Sequence, residues 1–91
     1  MTWRIRYSKT FYKELAKIPK GIRLQIEDFV FGDAVKANPF EAGKVEKLKG
    51  YDEFYKVRFG SYRLGIRIDQ KNRVIEFRRV RHRQDIYRKF P

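Results

Sequence analysis

Cysteine is absent from this 91-residue chain, histidine occurs once, and 11 acidic residues face 23 lysines and arginines. Each shortage excludes a class. Without cysteine there is no disulfide scaffold and no thiolate metal site. One histidine makes no zinc ligand set without several carboxylates beside it, and no cofactor is expected. No apolar run approaches the roughly 18 residues of a membrane-spanning helix, and no charged-then-apolar leader precedes a cleavage site. The expectation is a soluble, cytoplasmic protein with no membrane partner. Repeats, linkers and low-complexity segments are also missing, so residues 1–91 read as one small domain with one core. Hydrophobic residues at 42%, with 16% aromatic, suffice to fold the chain despite its 37% charged residues.

What is abundant is positive charge, a net +12. It is unevenly spread. Residues 1–55 carry 11 Lys/Arg against 8 Asp/Glu, and residues 56–91 carry 12 against 3. A cationic final third has the form of a footprint for a polyanion. Its cations are mostly arginine, which suits bidentate phosphate contacts. No segment reads as a basic amphipathic helix with a large apolar face, so nucleic acid is favoured over a membrane surface.

The most informative stretch is Phe54 to Ile68, FYKVRFGSYRLGIRI. Tyr55, Val57, Phe59, Tyr62, Leu64, Ile66 and Ile68 alternate with Lys56, Arg58, Arg63 and Arg67. Period two predicts half-buried strands, and Gly60-Ser61 has the composition of a two-residue type II′ turn. That turn sets Phe59 opposite Tyr62, Arg58 opposite Arg63 and Val57 opposite Leu64, with all the cations on one face. Two arginines directly across from each other destabilise a hairpin by about 0.2–1 kcal/mol. Uncompensated cations at that cost mark a site that meets an anion.

Taken in order, Thr2–Tyr7 alternates as a strand, and Ser8 can cap a helix carrying Phe11, Leu15 and Ile18 on one side. Pro19 ends that helix. A second runs from about Gly21 to Val35 with Ile22, Ile26, Phe29 and Val30 as its stripe. The short break between the two implies a helical hairpin. Residues 38–53 read as a polar connection that Val45 and Leu48 pin to the core. After the strand pair, Gln70-Lys71-Asn72 turns into a third strand, Arg73–Val80, whose alternation fails at Arg78-Arg79, predicting a bulge or strand end. Ile86, Tyr87 and Phe90 fall at helical spacing in the tail. The class is α+β: an N-terminal strand, an α-helical hairpin, a three-stranded antiparallel meander and a short C-terminal helix. Helices are expected on one face of the sheet, with the cationic face open for a ligand. Arg78, Arg81 and Arg83 would extend that surface.

Leu48–Gly50 (LKG), Tyr55–Leu64 (YKVRFGSYRL) and Val80–Arg88 (VRHRQDIYR) together resemble the RelE/ParE superfamily of bacterial toxins from toxin–antitoxin modules. The likeness covers nearly the whole chain and implies a small sheet carrying a helical hairpin. For the RelE branch it implies an endoribonuclease that cuts mRNA in the ribosomal A site. It also implies inhibition by a cognate RelB-like antitoxin, acidic or amphipathic, through which alone the complex would contact operator DNA.

Cleavage by attack of a ribose 2′-OH on the adjacent phosphate needs a base, a stabiliser of the phosphorane charge and an acid for the leaving 5′-oxygen. By resemblance, Lys56 and Arg58 fill the two basic positions of the central strand, Arg63 the phosphate-stabilising arginine, and Tyr87 the C-terminal tyrosine. The last arginine maps to Arg83, with Arg81 as the alternative. Lys56 serves as base only if neighbouring cations such as Arg58 lower its pKa. A second assignment, similar to YoeB-like members, makes Glu46 the base and His82 the acid. Arg67, Arg78 and Arg81 are read as RNA-contacting cations, Arg67 peripherally. The alternatives are a ParE-type toxin acting on DNA gyrase without a nuclease site, and a non-toxic nucleic-acid-binding module.

Overall fold

A computed structural model describes residues 2–43 and 45–91. The chain runs β1 (Arg4–Tyr7), α1 (Lys9–Leu15), α2 (Lys20–Val30), α3 (Asp33–Ala37), β2 (Val45–Lys47), β3 (Phe54–Phe59), β4 (Tyr62–Asp69), β5 (Val74–His82) and α4 (Arg83–Lys89). The strands form one sheet in the order β1-β5-β4-β3-β2. β1 lies parallel to β5, and every other pairing is antiparallel. This is the expected α+β class, with the meander β3-β4-β5 at its centre. No helix among the described residues is long and apolar enough to cross a membrane.

Local chemistry explains most of the boundaries. Ser8 caps α1, its Oγ accepting from the Phe11 N–H at 3.0 Å. Pro19 stands at the N-cap of α2. The helical hairpin differs from expectation at its second arm, which stops at Val30 rather than Val35. Gly32 is extended (φ −82°, ψ 167°), and a Cβ there would come within 2.5 Å of the Asp28 carbonyl oxygen. The chain therefore breaks before starting the short α3.

The connection over residues 38–53 also differs, because it contains strand β2. β2 is three residues long, with Glu46 and Lys47 exposed, too short for alternation to register in the sequence. It pairs only with β3, setting Glu46 beside Lys56.

The main core lies between the sheet and α1–α3. Phe11, Ile26, Val30 and Val35 meet Leu64, Ile66, Ile68, Ile75, Phe77 and Val80, all at most 1% exposed. The irregularity expected at Arg78-Arg79 is a bulge: Phe77 pairs with Ile66 and Arg79 with Gly65, leaving Arg78 as the extra residue. Strict alternation from Ile75 and Phe77 would have driven Arg79 into the core. The added residue instead brings Val80 inward and keeps the guanidinium out.

The outer face is not left open, contrary to expectation. Helix α4 lies on it, and Leu48, Ile86 and Phe90 form a second small core with Phe54. Gly65 makes room for this. A Cβ at Gly65 would lie 2.8–2.9 Å from the Phe90 ring, so only glycine lets that ring sit flat against β4. The first turn of α4 is also tied to the hairpin, since the Arg83 N–H donates to the Ser61 carbonyl at 2.7 Å. Substituting Gly65→Ala should lever α4 off the sheet, at a cost of about 1–3 kcal/mol for the overpacked site. Hydrogen exchange should then show α4 amides losing protection while those of α2 keep theirs. Unchanged α4 protection would mean that Phe90 is not seated on Gly65.

Candidate phosphate-binding site on the outer face

The β3–β4 hairpin has the anticipated register, with Phe59 opposite Tyr62, Arg58 opposite Arg63 and Val57 opposite Leu64. Gly60 has φ +58°, while Ser61 has no positive φ, which is the type II′ geometry read from the sequence. Two rows of side chains cross the outer face. One follows the pairs Glu46–Lys56, Lys56–Gly65 and Gly65–Arg79, and the other follows Arg58–Arg63 and Arg63–Arg81.

Helix α4 delivers Tyr87 to the first row. Lys56 Nζ donates to Tyr87 Oη at 2.8 Å and lies 5.3 Å from the centre of the tyrosine ring. Tyr87 is 57% exposed, so its hydroxyl accepts from the lysine while its own proton can be given to a bound group. Glu46 reaches Arg58, with 3.6 Å between Oε1 and Nε. The opposed arginines turn apart. Arg58 leans to Glu46, whereas Arg63 curls back so that NH1 donates to the Gly60 and Tyr62 carbonyls at 2.7 and 2.9 Å. Among the described residues, no carboxylate forms an ion pair with Lys56, Arg63 or Arg83.

Other named residues are engaged elsewhere. Arg67 Nε donates to Glu53 at 2.8 Å, Arg78 lies 3.6 Å from Glu76 with its guanidinium 5.8 Å from the Phe54 ring centre, and Arg81 donates to Glu14 at 3.0 Å. Arg83 opens α4 with its side chain exposed. His82 pairs with Tyr62 and so points to the face opposite Glu46 and Lys56. Its Nδ1 accepts from the Gln84 N–H at 3.2 Å as the cap of α4, and its ring meets Tyr62 edge-on at 5.6 Å. The structure thus brings Glu46, Lys56, Arg58 and Tyr87 together with Arg63 across the hairpin, and it separates His82 from Glu46.

Beside this cluster, a cleft of about 310 Å³ is lined by Leu48, Lys49, Tyr51, Lys56, Tyr87, Phe90 and Pro91. Lys49 and the half-exposed Tyr51 were not singled out from the sequence. Their only signal there was a position within and just after the LKG segment. Two ionisable groups elsewhere are perturbed. Hydrogen bonds from Asn72 hold the Asp69 carboxyl below its usual range. Burial, with Tyr12 adding to it, pushes the Tyr7 phenol up, and that phenol donates to the Val30 carbonyl at 2.6 Å.

Chemically, the face offers forked cations for a phosphate, a Lys–Tyr pair and a carboxylate within one row for proton movement, and aromatic walls at the cleft. Fold and site together define a small α+β protein with a cationic outer face. The model of the ParE toxin of type II toxin–antitoxin systems, parDE, matches residues 5–87; the chain belongs to this toxin family. It is 37% identical over 90 residues to toxin RelE3 of Methanocaldococcus jannaschii, covering 97% of this chain and 99% of that one. It is 35% identical over 89 residues to toxin RelG of Mycobacterium tuberculosis, covering 98% and 100%. The RelB–RelE antitoxin–toxin complex from Methanococcus jannaschii contains a chain that superposes with TM-score 0.77 at 35% identity, over 94% of this chain and 99% of that chain.

The crowding of Arg58 against Arg63 gives a direct test of what this face is for. Arg58→Thr should leave the fold as stable or raise its stability by up to about 1 kcal/mol, since the exposed pair with Glu46 that it gives up is worth little, while it relieves like charges and supplies a good strand former. Thermal unfolding reads this. A loss greater than about 1 kcal/mol would make Arg58 a structural residue.

Proposed function

We propose that this chain, as one toxin domain across residues 1–91, is a ribosome-dependent endoribonuclease that cleaves mRNA and so inhibits translation. The observation that carries the reading is the hydrogen bond of 2.8 Å between Lys56 and Tyr87, made beside two arginines that face each other across a tight hairpin. A proton-handling pair next to forked cations that can take a phosphate is what attack of a 2′-OH on its own phosphate requires. In this mechanism Arg63, with Arg58 beside it, stabilises the phosphorane. Being permanently charged and forked, arginine does this without proton bookkeeping. Either Lys56 or its row neighbour Glu46 takes the 2′-OH proton, and Tyr87 gives its proton to the leaving 5′-oxygen. His82, facing away, caps α4 rather than acting as acid. Tyr51 and Tyr87 offer exposed rings on which a base can stack.

The reading also includes partners. A cognate antitoxin is supported by the toxin–antitoxin complexes of the relatives, and its acidic or amphipathic surface would suit the cationic face. Contact with operator DNA would run through that antitoxin. The place of action is the cytoplasm, where translating ribosomes are. The second reading, a gyrase-directed toxin, draws on the ParE description of the matching family. Retention of Lys56, Arg58, Arg63 and Tyr87 as one constellation favours the nuclease.

Programmed ribosomes carrying a defined mRNA provide the test. The wild-type protein should cut within the A-site codon and leave naked mRNA intact, while Arg63→Ala should slow the cut by about 10²–10³-fold, the usual cost of one lost charge-stabilising donor. Lys56→Ala and Glu46→Ala in the same assay assign the base to whichever loses more. Intact mRNA together with inhibited supercoiling by gyrase would overturn the nuclease reading in favour of the second.

A further inference from the structure

Two large aromatic side chains stand exposed along one cleft, Tyr87 at 57% and Tyr51 at 47%. The cleft, of about 310 Å³, is at the small end of ligand sites. Of the candidate site's side chains only Lys56 and Tyr87 line it, so it opens beside that pair rather than over the opposed arginines. Leu48 and Phe90, both buried, belong to the second core and give the cleft an apolar floor. Tyr51 is fixed there by its backbone. The Leu48 N–H donates to the Phe54 carbonyl at 2.8 Å, and the Tyr51 N–H donates to the Leu48 carbonyl at 3.2 Å. Within that turn Gly50 has φ +86°, the left-handed geometry that a type II turn needs at its third residue. The Tyr51 ring meets Phe54 edge-on with 5.8 Å between centres, and Phe54 meets Phe90 in the same way at 5.5 Å. An edge-on contact occupies at most one face of a ring, so a face of Tyr51 stays free. Lys49, exposed at the second position of the turn, forms no ion pair among the described residues, whereas Lys47 lies 3.7 Å from Asp52.

We propose that this cleft is a stacking subsite for one splayed mRNA base, that of the nucleotide on the 3′ side of the cut, with Tyr51 as its platform. A base has apolar faces and a polar edge, and its nucleotide carries a phosphate. Free ring faces, an apolar floor and the ammonium groups of Lys49 and Lys56 match those three parts. The nucleotide is assigned from the chemistry. Tyr87 gives its proton to the leaving 5′-oxygen, so the nucleotide carrying that oxygen lies on the Tyr87 side, where the cleft opens. Stacking accepts any base, because every base has a π-face. Tyr51 therefore holds the strand in line for attack rather than reading its sequence. The inference rests on the nuclease reading and deepens it.

Abasic substitution in the A-site codon of a defined mRNA on programmed ribosomes tests it, read as the second-order rate of single-turnover cleavage. Tyr51→Ala should slow the cut by about 5–150-fold, the worth of one base stacked on an aromatic ring, whereas Tyr51→Phe keeps the ring and should stay within about twofold of wild type. Should circular dichroism show the alanine variant misfolded, Tyr51→Leu takes its place, since it keeps an apolar contact with Phe54 but has no ring. In the wild type, removing the base 3′ of the cut should cause a loss of similar size. Tyr51→Ala should lose nothing further from that removal, because the two changes delete one contact. Abasic sites elsewhere in the codon should slow both proteins equally. Losses that multiply at the 3′ position overturn the subsite and leave the nuclease reading standing. A Tyr51→Phe protein as slow as Tyr51→Ala overturns it too, by giving the role to the hydroxyl. A wild-type protein that cuts no codon overturns the nuclease reading, and the inference with it.

Discussion

The seating of Phe90 on Gly65 is the contact on which the outer face depends. A bare sheet face with Lys56, Arg58 and Arg63 would be a flat cationic surface with nothing to orient a substrate. Because β4 lacks a side chain at Gly65, the aromatic ring of the tail lies directly against the strand. Leu48, Phe54 and Ile86 close around it as a second, smaller core. Burying such aromatic and aliphatic side chains contributes roughly 1.5–3 kcal/mol each, enough to hold a seven-residue helix that would not persist alone. That helix carries Tyr87 to Lys56. The wall of the cleft, the hydroxyl at the lysine and the tether from Arg83 to the hairpin turn all follow from one missing side chain.

Stability and chemistry are divided between the two sides of the sheet. The inner side holds the large apolar core, so the outer side can tolerate charges that oppose one another. Arg58 and Arg63 relieve their repulsion by turning to Glu46 and to the turn carbonyls, neither of which fully compensates them. Other outer-face cations are ion-paired: Arg67 with Glu53, Arg78 with Glu76, and Arg79 and Arg81 with the single carboxylate of Glu14. Lys56, Arg63 and Arg83, without an ion pair among the described residues, lie near the hairpin and along α4, while Arg4 and Arg6 are exposed at the β1 edge of the same face.

Much of this was legible in the chain itself. Strict alternation through Phe54–Ile68, with glycine at the only plausible turn, carried the hairpin register and the segregation of its cations. Failure of alternation at Arg78-Arg79 carried the bulge. Four features were hidden, each for a physical reason. β2 is too short for periodicity, so Glu46 read as a loop residue rather than the strand neighbour of Lys56. Gly32 is extended and so ends the second helix early, in a close approach to the Asp28 carbonyl that leaves no room for a side chain and that no local pattern announces. The face on which α4 docks is decided by Gly65, which in the sequence looked like one more residue in a strand. The two faces of His82 and Glu46 likewise follow from register, which motif spacing alone does not carry.

The contact between the tail and the sheet is tested most directly by a double-mutant cycle between Phe90→Ala and Tyr87→Phe, read as single-turnover mRNA cleavage on programmed ribosomes. Both act through one event, the presentation of the Tyr87 hydroxyl to Lys56. Each single variant should therefore slow cleavage, and the double variant should be no slower than the worse of the two. Losses that simply multiply, or a Phe90→Ala protein that cleaves at the wild-type rate, would contradict the claim that α4 docking assembles the site.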